Sequence, residues 1–231
     1  AEYLAVPVWN IVTFEDDVDY KTAALCEPTA VALHAVESGT IENEDTVLVI
    51  GSGAIGYLTA LWAKEKGAKR VVIACRSQQK ADFAKELDLE AIVIKEDYVA
   101  QLKEILGIMP NVVIECVGSN NAIQMALECT RKGGRIVCVG NPEGDIVLSQ
   151  KIYWKILRNE LKVIGTWNSS YSDIINNWKE VIHVMNGHTV PFEKLITHVF
   201  PLSQKDEAFN VLRNKTEFAI KVMFVLDETH H

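Results

Sequence analysis

The six residues Gly51-Ser52-Gly53-Ala54-Ile55-Gly56 carry the sharpest chemical signal in the chain. They form a G-x-G-x-x-G string that follows an apolar run at 46–50 and opens a helix-patterned stretch. Each glycine has its own reason. Gly51 permits a tight turn, Gly53 lets backbone approach a diphosphate with no Cβ in the way, and Gly56 lets the helix pack closely on the strand. Ala54 and Ile55 then open a helix whose free N–H groups and dipole favour an anion. That chemistry suits the pyrophosphate of a dinucleotide. A flavin or S-adenosylmethionine fits the same turn, and so does a structural turn with no ligand.

The end of the next apolar run discriminates among dinucleotides. An NAD site usually places Asp or Glu about 20 residues beyond the glycines, on the ribose 2′-OH. Cys75 lies 19 residues beyond Gly56, and the local sequence is Ala74-Cys75-Arg76-Ser77 with Lys80 close by. No carboxylate stands there. Arg76 offers a planar fork to a phosphate and Ser77 a hydroxyl. NADP(H) is therefore expected over NAD(H), the bland alternative being that Arg76 is a solvated charge.

The elements that must hold these residues follow from periodicity. Strands are expected at 46–50, 70–75, 91–94, 111–116, 135–140 and 162–167, alternating with helices at 54–66, 79–87, 98–106, 121–130 and 151–158. In the first helix Ile55, Leu58, Leu61 and Trp62 share a face, and Gly67 ends it. The strands are apolar throughout, as a parallel sheet covered on both faces requires. The fold class is α/β, a doubly wound parallel (Rossmann) sheet. After Trp167 the alternation breaks into a helix at 173–185, a strand at 195–200, a helix at 203–212 and a strand at 218–225.

Composition sets the outer limits. The chain has 231 residues, 48 % apolar and 23 % charged, with a net charge of −8. That apolar share is enough to bury a core. The acidic balance argues against a nucleic-acid surface, and no run approaches the roughly 18 apolar residues of a membrane span. The five cysteines, Cys26, Cys75, Cys116, Cys129 and Cys138, show no C-x-x-C spacing. They read as reduced, buried thiols of a cytoplasmic protein. Residues 1–8 read as a strand already under way, and His230-His231 as a tag remnant.

Several segments together resemble one family. Ala24-Leu25-Cys26-Glu27-Pro28, Val31-Ala32-Leu33-His34-Ala35, the glycine turn, Glu115-Cys116-Val117-Gly118 and Val139-Gly140 fall in its order. So do Ile156-Leu157-Arg158-Asn159-Glu160-Leu161, Gly165-Thr166-Trp167, Leu195-Ile196-Thr197-His198 and Lys221-Val222. The chain resembles the medium-chain, zinc-dependent alcohol and polyol dehydrogenases, in the sorbitol and galactitol-1-phosphate dehydrogenase branch. The resemblance implies hydride transfer between a secondary alcohol, held on zinc, and a nicotinamide. It places Gly118 on the adenosine half of the cofactor, Val139, Gly140 and Thr166 on the nicotinamide side, and Cys116 and Val117 among the cofactor-binding residues. Glu27 matches a zinc-site carboxylate, with a helix-start carboxylate as its alternative.

The likeness also has a gap. The family's early Cys, its His-Glu pair and its four-cysteine lobe have no counterpart here, and one carboxylate is short of the three protein ligands a zinc site needs. The expected organisation is a catalytic-domain remnant at 1–27, a cofactor domain at 28–189 and a return to a GroES-like catalytic domain at 190–231. Such a chain is expected to bind cofactor but little zinc, and to turn over no alcohol by itself. A non-catalytic redox-cofactor module and a zinc-free quinone-reductase type are the competing readings.

Three weaker features complete the expectations. Lys151, Lys155 and Arg158 share a helix face and suit either a sugar phosphate or solvent. His34, His183, His188 and His198 have no ligand spacing. The run at 145–149 and the sixth strand lie where relatives extend their sheet across a dimer, so a homo-oligomer is expected.

Overall fold

The computed structural model describes residues 4–172 and 174–226. In chain order the elements are α1 (Tyr20–Ala23), α2 (Cys26–Ser38), β1 (Thr46–Ile50), α3 (Ala54–Glu65), β2 (Arg70–Cys75), α4 (Gln78–Glu86) and β3 (Glu90–Val93). Then come α5 (Tyr98–Leu106), β4 (Val112–Glu115), α6 (Asn120–Cys129), β5 (Arg135–Cys138), α7 (Gln150–Arg158) and β6 (Lys162–Gly165). The chain closes with α8 (Asn177–Asn186), β7 (Ile196–Pro201), α9 (Lys205–Asn214) and β8 (Lys221–Val225).

Six strands form one sheet in the order β3-β2-β1-β4-β5-β6, every pair parallel. This is the doubly wound arrangement, and the strand order reverses between β1 and β4. Alternate side chains feed two cores. Val47 and Val49 of β1 join the core formed with α2, α3 and α8, while Leu48 and Ile50 join the core under α5 and α6. That division explains why β1 is apolar from Val47 to Ile50. In the first core the Trp62 indole N–H donates to the Thr29 carbonyl at 3.1 Å and clamps α3 to α2. Tyr57 packs edge-on against Phe83 of α4 at 5.1 Å between ring centres.

β7 and β8 pair in parallel as a separate two-stranded sheet, joined through α9. Phe218 returns to the main body and packs on Phe83 at 5.3 Å.

The amino ends of the strands are sealed by a polar knot. Asp45 is 3 % exposed and accepts from the Arg135 guanidinium, the Asn111 amide and the Glu42 N–H. Arg135 also donates to the carbonyls of Gly39 and Thr40, and the Asn111 side-chain oxygen accepts from Thr46 N–H at 2.8 Å. Both carboxylate oxygens of Asp45 are hydrogen-bonded, which is the condition for a buried ion pair to hold.

Three local expectations are corrected. Residues 1–3 lie outside the described set, but 4–7 form no strand and Val8–Asn10 is a single 3-10 turn, closed by Asn10 N–H to the Pro7 carbonyl at 2.9 Å. Pro7 has no N–H for a ladder, so the local turn wins. The run at 145–149 is irregular: Val147 N–H donates to the Asn120 side chain at 2.8 Å, and its carbonyl accepts from Gln124 at 3.3 Å. Side chains of α6 thereby take the place of a neighbouring strand. α8 starts at Asn177 because Asn176 caps it, accepting from Lys179 N–H at 3.1 Å. Residues 173, 230 and 231, named in the sequence expectations, lie outside the described residues.

Removing the acid of the knot strands the Arg135 charge. Asp45→Ala is expected to lower unfolding free energy by about 3 kcal/mol, read as a drop in the urea midpoint at constant m-value. A loss under about 1 kcal/mol would show that the knot is dispensable.

Candidate functional site

The carboxyl ends of β1, β2, β4, β5 and β6 converge on the side of the sheet opposite the knot. At the strand-order reversal, the turns after β1 and β4 lie against each other, with Cys116 N–H donating to the Ile50 carbonyl at 2.9 Å. Ligands of open α/β sheets gather at such a reversal.

The glycine turn is shaped by what surrounds each glycine. Gly51 has φ +113°, and a Cβ there would meet Val117 Cγ2 at 2.8 Å. A Cβ on Gly56 would come within 1.8 Å of the Gly51 carbonyl oxygen, so turn and helix touch with no room for a methyl. Gly53 differs: nothing lies within 4 Å of its would-be Cβ, and it is exposed. It is also the N-cap of α3, with no side chain on the first-turn N–H groups. Ala54 and Ile55 line this opening as partly exposed residues. Two glycines are required by packing, whereas the third keeps space and donors open to solvent.

Beyond β2 the chain turns into α4. Cys75 is fully buried, so it shapes the end of the strand from inside. Arg76 and Ser77 are exposed, and Ser77 Oγ caps α4 by accepting from Lys80 N–H at 3.4 Å. Lys80 Nζ donates to the carbonyl of Ser52 at 2.7 Å, and the Tyr57 hydroxyl donates to the Lys80 carbonyl at 2.7 Å. α4 is thus tied to the glycine turn by one lysine. Burial holds that ammonium below the usual lysine range.

The β4 turn is built on Glu115, a residue absent from the sequence expectations as a site residue. Its side chain is fully buried and Oε1 accepts from Val117 N–H at 2.6 Å and Gly118 N–H at 2.9 Å. Its main-chain carbonyl accepts from Val139 and Gly140 N–H at 2.9 and 3.0 Å. Oε2 has no hydrogen-bond partner, and burial raises the carboxyl's pKa above the usual range. The available signal was an acid closing an otherwise apolar strand, Val112-Val113-Ile114-Glu115. Gly118 has φ +82°, and a Cβ there would meet the Asn141 carbonyl oxygen at 2.4 Å. A Cβ on Gly140 would meet Gly118 N at 2.0 Å, so the β4 and β5 turns are pressed together backbone to backbone. Burial pushes the Cys116 thiol up to about 12, which keeps it an uncharged packing group beside Thr59. At β6, Thr166 N–H donates to the Cys138 carbonyl at 3.2 Å, and its hydroxyl is buried with no partner.

Glu27 stands apart. It is an exposed carboxylate in the first turn of α2, and neighbouring Cys26 is buried with its thiol pushed up to about 12. Among the described residues no three His, Cys, Asp or Glu side chains gather as a metal would need. Three of the histidines have side-chain partners: His34 with Ser170 at 3.1 Å, His188 with Asp17 at 3.1 Å and His198 with Glu217 at 3.5 Å. On α7, the Arg158 guanidinium stacks over Trp154 at 4.2 Å.

A depression of about 470 Å³ lies at the amino ends of β2 and β3 instead. Each of its cations already has a carboxylate partner, Lys64 with Asp88 and Arg70 with Glu90 inside the lining, Lys69 with Glu44 and Lys85 with Asp82 outside it. The carboxyl end of the sheet at the β1–β4 reversal, where α3 starts without a side-chain cap and the space beside Gly53 is unfilled, is the candidate site.

A sequence profile described as zinc-binding dehydrogenase matches residues 54–187. Human sorbitol dehydrogenase is 33 % identical over 217 residues, covering 92 % of this chain and 58 % of that protein. Galactitol-1-phosphate dehydrogenase from Escherichia coli superposes with a TM-score of 0.86 at 27 % identity, covering 96 % of this chain and 66 % of that one. A zinc-binding dehydrogenase homologue from Sinorhizobium meliloti 1021, solved bound to NADP, gives 0.78 at 25 % identity over 92 % of this chain and 61 % of its own. The chain spans under two thirds of the length of each of these relatives.

The closest packing in the turn gives a direct check. Gly56→Ala drives a methyl into the Gly51 carbonyl and is expected to cost at least ~2 kcal/mol in urea unfolding. Wild-type stability in that variant would contradict the geometry.

Proposed function

The chain belongs to the zinc-binding dehydrogenase family, and from that premise we propose that it is the cofactor-binding part of an oxidoreductase using NADP(H). Its reaction is hydride transfer between that cofactor and a secondary alcohol or ketone, a polyol or polyol phosphate, as the names of the sorbitol and galactitol-1-phosphate relatives suggest. Residues 28–189 are assigned as the cofactor unit, with 1–27 and 190–231 belonging to a catalytic unit.

The observation that carries the reading is the open position at Gly53 between two closed ones. In this reading the pyrophosphate lies over Gly51, Gly53, Ala54, Ile55 and Gly56, on the free N–H groups of α3. The adenosine ribose and its 2′-phosphate lie against Arg76, Ser77 and Lys80 beside the buried Cys75. Cys116, Val117 and Gly118 face the adenosine half, with Val139, Gly140 and Thr166 toward the nicotinamide. The bound cofactor supplies the hydride acceptor or donor. The chain's own residues bind and orient it. Glu115 holds the Val117-Gly118 turn in place, and the unpartnered Thr166 hydroxyl is a hydrogen-bonding group at the nicotinamide end.

Zinc fits these residues poorly. Glu27 is the one carboxylate assigned to it, and an exposed single ligand falls short of a site, so no step here runs through the metal. By itself the chain is proposed to bind cofactor without turning over alcohol.

The sheet edge supports the proposed homo-oligomer. On β6 and α7, Val163 is 49 % and Leu157 58 % exposed, next to the half-exposed Tyr153 and Trp154. β6 also ends the sheet with an unpaired backbone edge. No helix among the described residues is long and apolar enough to cross a membrane.

Calorimetric titration tests the cofactor. NADPH is expected to bind at least ~10-fold more tightly than NADH, as a charge-assisted phosphate contact provides. Equal affinities would remove the 2′-phosphate assignment. Gly53→Ala is expected to change stability by less than about 1 kcal/mol yet weaken NADPH by at least ~10-fold, because its methyl enters the space kept for the diphosphate. Unchanged NADPH affinity in that variant would sink the pyrophosphate placement. For the oligomer, sedimentation should show a dimer that Val163→Asp converts to monomer, whereas a wild-type monomer at high concentration would count against the β6 interface.

A further inference from the structure

Arg76 and Lys80 stand at the same end of α4 but are held differently. Arg76 is exposed, and its guanidinium donates to no group among the described residues. Lys80 is half-buried, and its Nζ donates to the Ser52 carbonyl at 2.7 Å. Its main chain is tied as well: the Lys80 carbonyl accepts from the Tyr57 hydroxyl at 2.7 Å, and its N–H donates to Ser77 Oγ at 3.4 Å. Burial weighs against the charged ammonium, and the Ser52 carbonyl is the acceptor that offsets it.

The place of that acceptor matters. Ser52 lies between Gly51 and Gly53 in the middle of the turn and is 7 % exposed. The described residues contain no cis peptide bond, so the Ser52 carbonyl and the Gly53 N–H point opposite ways across one plane. A donor held on the carbonyl therefore sets the direction of the Gly53 N–H, which itself donates to nothing among the described residues. Little in the turn's own backbone would hold that plane. Gly51 already sits at φ +113°, and Gly53, with no Cβ, accepts either sign of φ. α3 then starts with no side-chain cap, so the orientation of the turn decides where the first free donors lie.

We propose that Lys80 is a positioning residue for the diphosphate: its ammonium pins the Ser52–Gly53 peptide, and the glycine turn thereby offers its N–H groups in one fixed direction. The proposal rests on the reading of this turn as a dinucleotide site and refines the NADP(H) assignment. Arg76, with its guanidinium uncommitted, serves the 2′-phosphate. Lys80 serves the diphosphate, the part that NADPH and NADH have in common.

Calorimetric titration of wild type, K80M, K80R and Arg76→Ala with NADPH and NADH separates the two roles. K80M keeps the stem and removes the donor. It should weaken both dinucleotides by the same factor, roughly three- to ten-fold, and leave their ratio as in wild type. K80R, which restores a charged donor, should recover most of both affinities, and Arg76→Ala should lose affinity for NADPH alone. In ligand-free K80M the Gly53 amide resonance should shift or broaden, as release of the peptide plane requires. Tyr57→Phe removes the tie to the Lys80 main chain and leaves the ammonium in place. It should keep both affinities even where it lowers the urea midpoint, which sets the positioning role apart from the docking of α4. A K80M loss confined to NADPH would make Lys80 a 2′-phosphate contact and overturn the proposal. Unchanged affinities in K80M, or an equal loss in Tyr57→Phe, would overturn it too. If wild type binds NADPH and NADH equally, the NADP(H) preference falls, while an equal loss of both in K80M still supports the role of Lys80. If wild type binds neither, the dinucleotide reading and the Lys80 role fall together.

Discussion

The Gly51 carbonyl and the Gly56 Cα stand so close that a single added methyl would overlap the oxygen at 1.8 Å. That contact sets the angle at which α3 leaves β1. Because α3 carries Trp62 onto Thr29 of α2 and Tyr57 onto Phe83 of α4, the angle also positions two helices on one face of the sheet. Across the β1–β4 reversal the same device recurs. Gly118 and Gly140 bring the β4 and β5 turns into backbone contact, and the buried Glu115 carboxylate fixes the first of them through two N–H groups. The site is therefore made of main chain held at short range, and the open position at Gly53 is defined by the closed positions around it.

The two ends of the sheet are treated in opposite ways. At the amino ends, Asp45, Arg135 and Asn111 consume one another's donors and acceptors, so that end is stable and chemically closed. At the carboxyl ends the bonding is incomplete: α3 begins without a side-chain cap, and Glu115 Oε2 and Thr166 Oγ1 have no partners. Unmet polar groups cost stability when buried, and they persist where a ligand or water completes them. Stability is concentrated away from the place where binding is proposed.

Much of this was legible because the relevant signals are local. β1 and β2 are continuous apolar runs after their first residues, Thr46 and Arg70, and the G-x-G-x-x-G spacing identifies the turn between β1 and α3. Parallel pairing follows from the alternation of such runs with helices. The misses arise where long-range partners override local pattern. The run at 145–149 has strand-like composition, yet Asn120 and Gln124 of α6 take its backbone groups. Residues 4–10 look extended, yet Pro7 and the lack of a neighbouring strand leave a 3-10 turn. Glu115 was visible as an acid inside an apolar run, but its two N–H partners depend on a turn that periodicity does not describe.

The central claim is that a phosphorylated nicotinamide dinucleotide binds the carboxyl end of the sheet across the β1–β4 reversal. Amide hydrogen exchange of the chain with and without NADPH tests it most directly. The account predicts added protection at 51–56, 76–80, 117–118 and 139–140, with the amino-end knot around Asp45 and the depression beside Lys64 and Arg70 unchanged. NADPH-dependent protection at that depression, or none at the glycine turn, would contradict it.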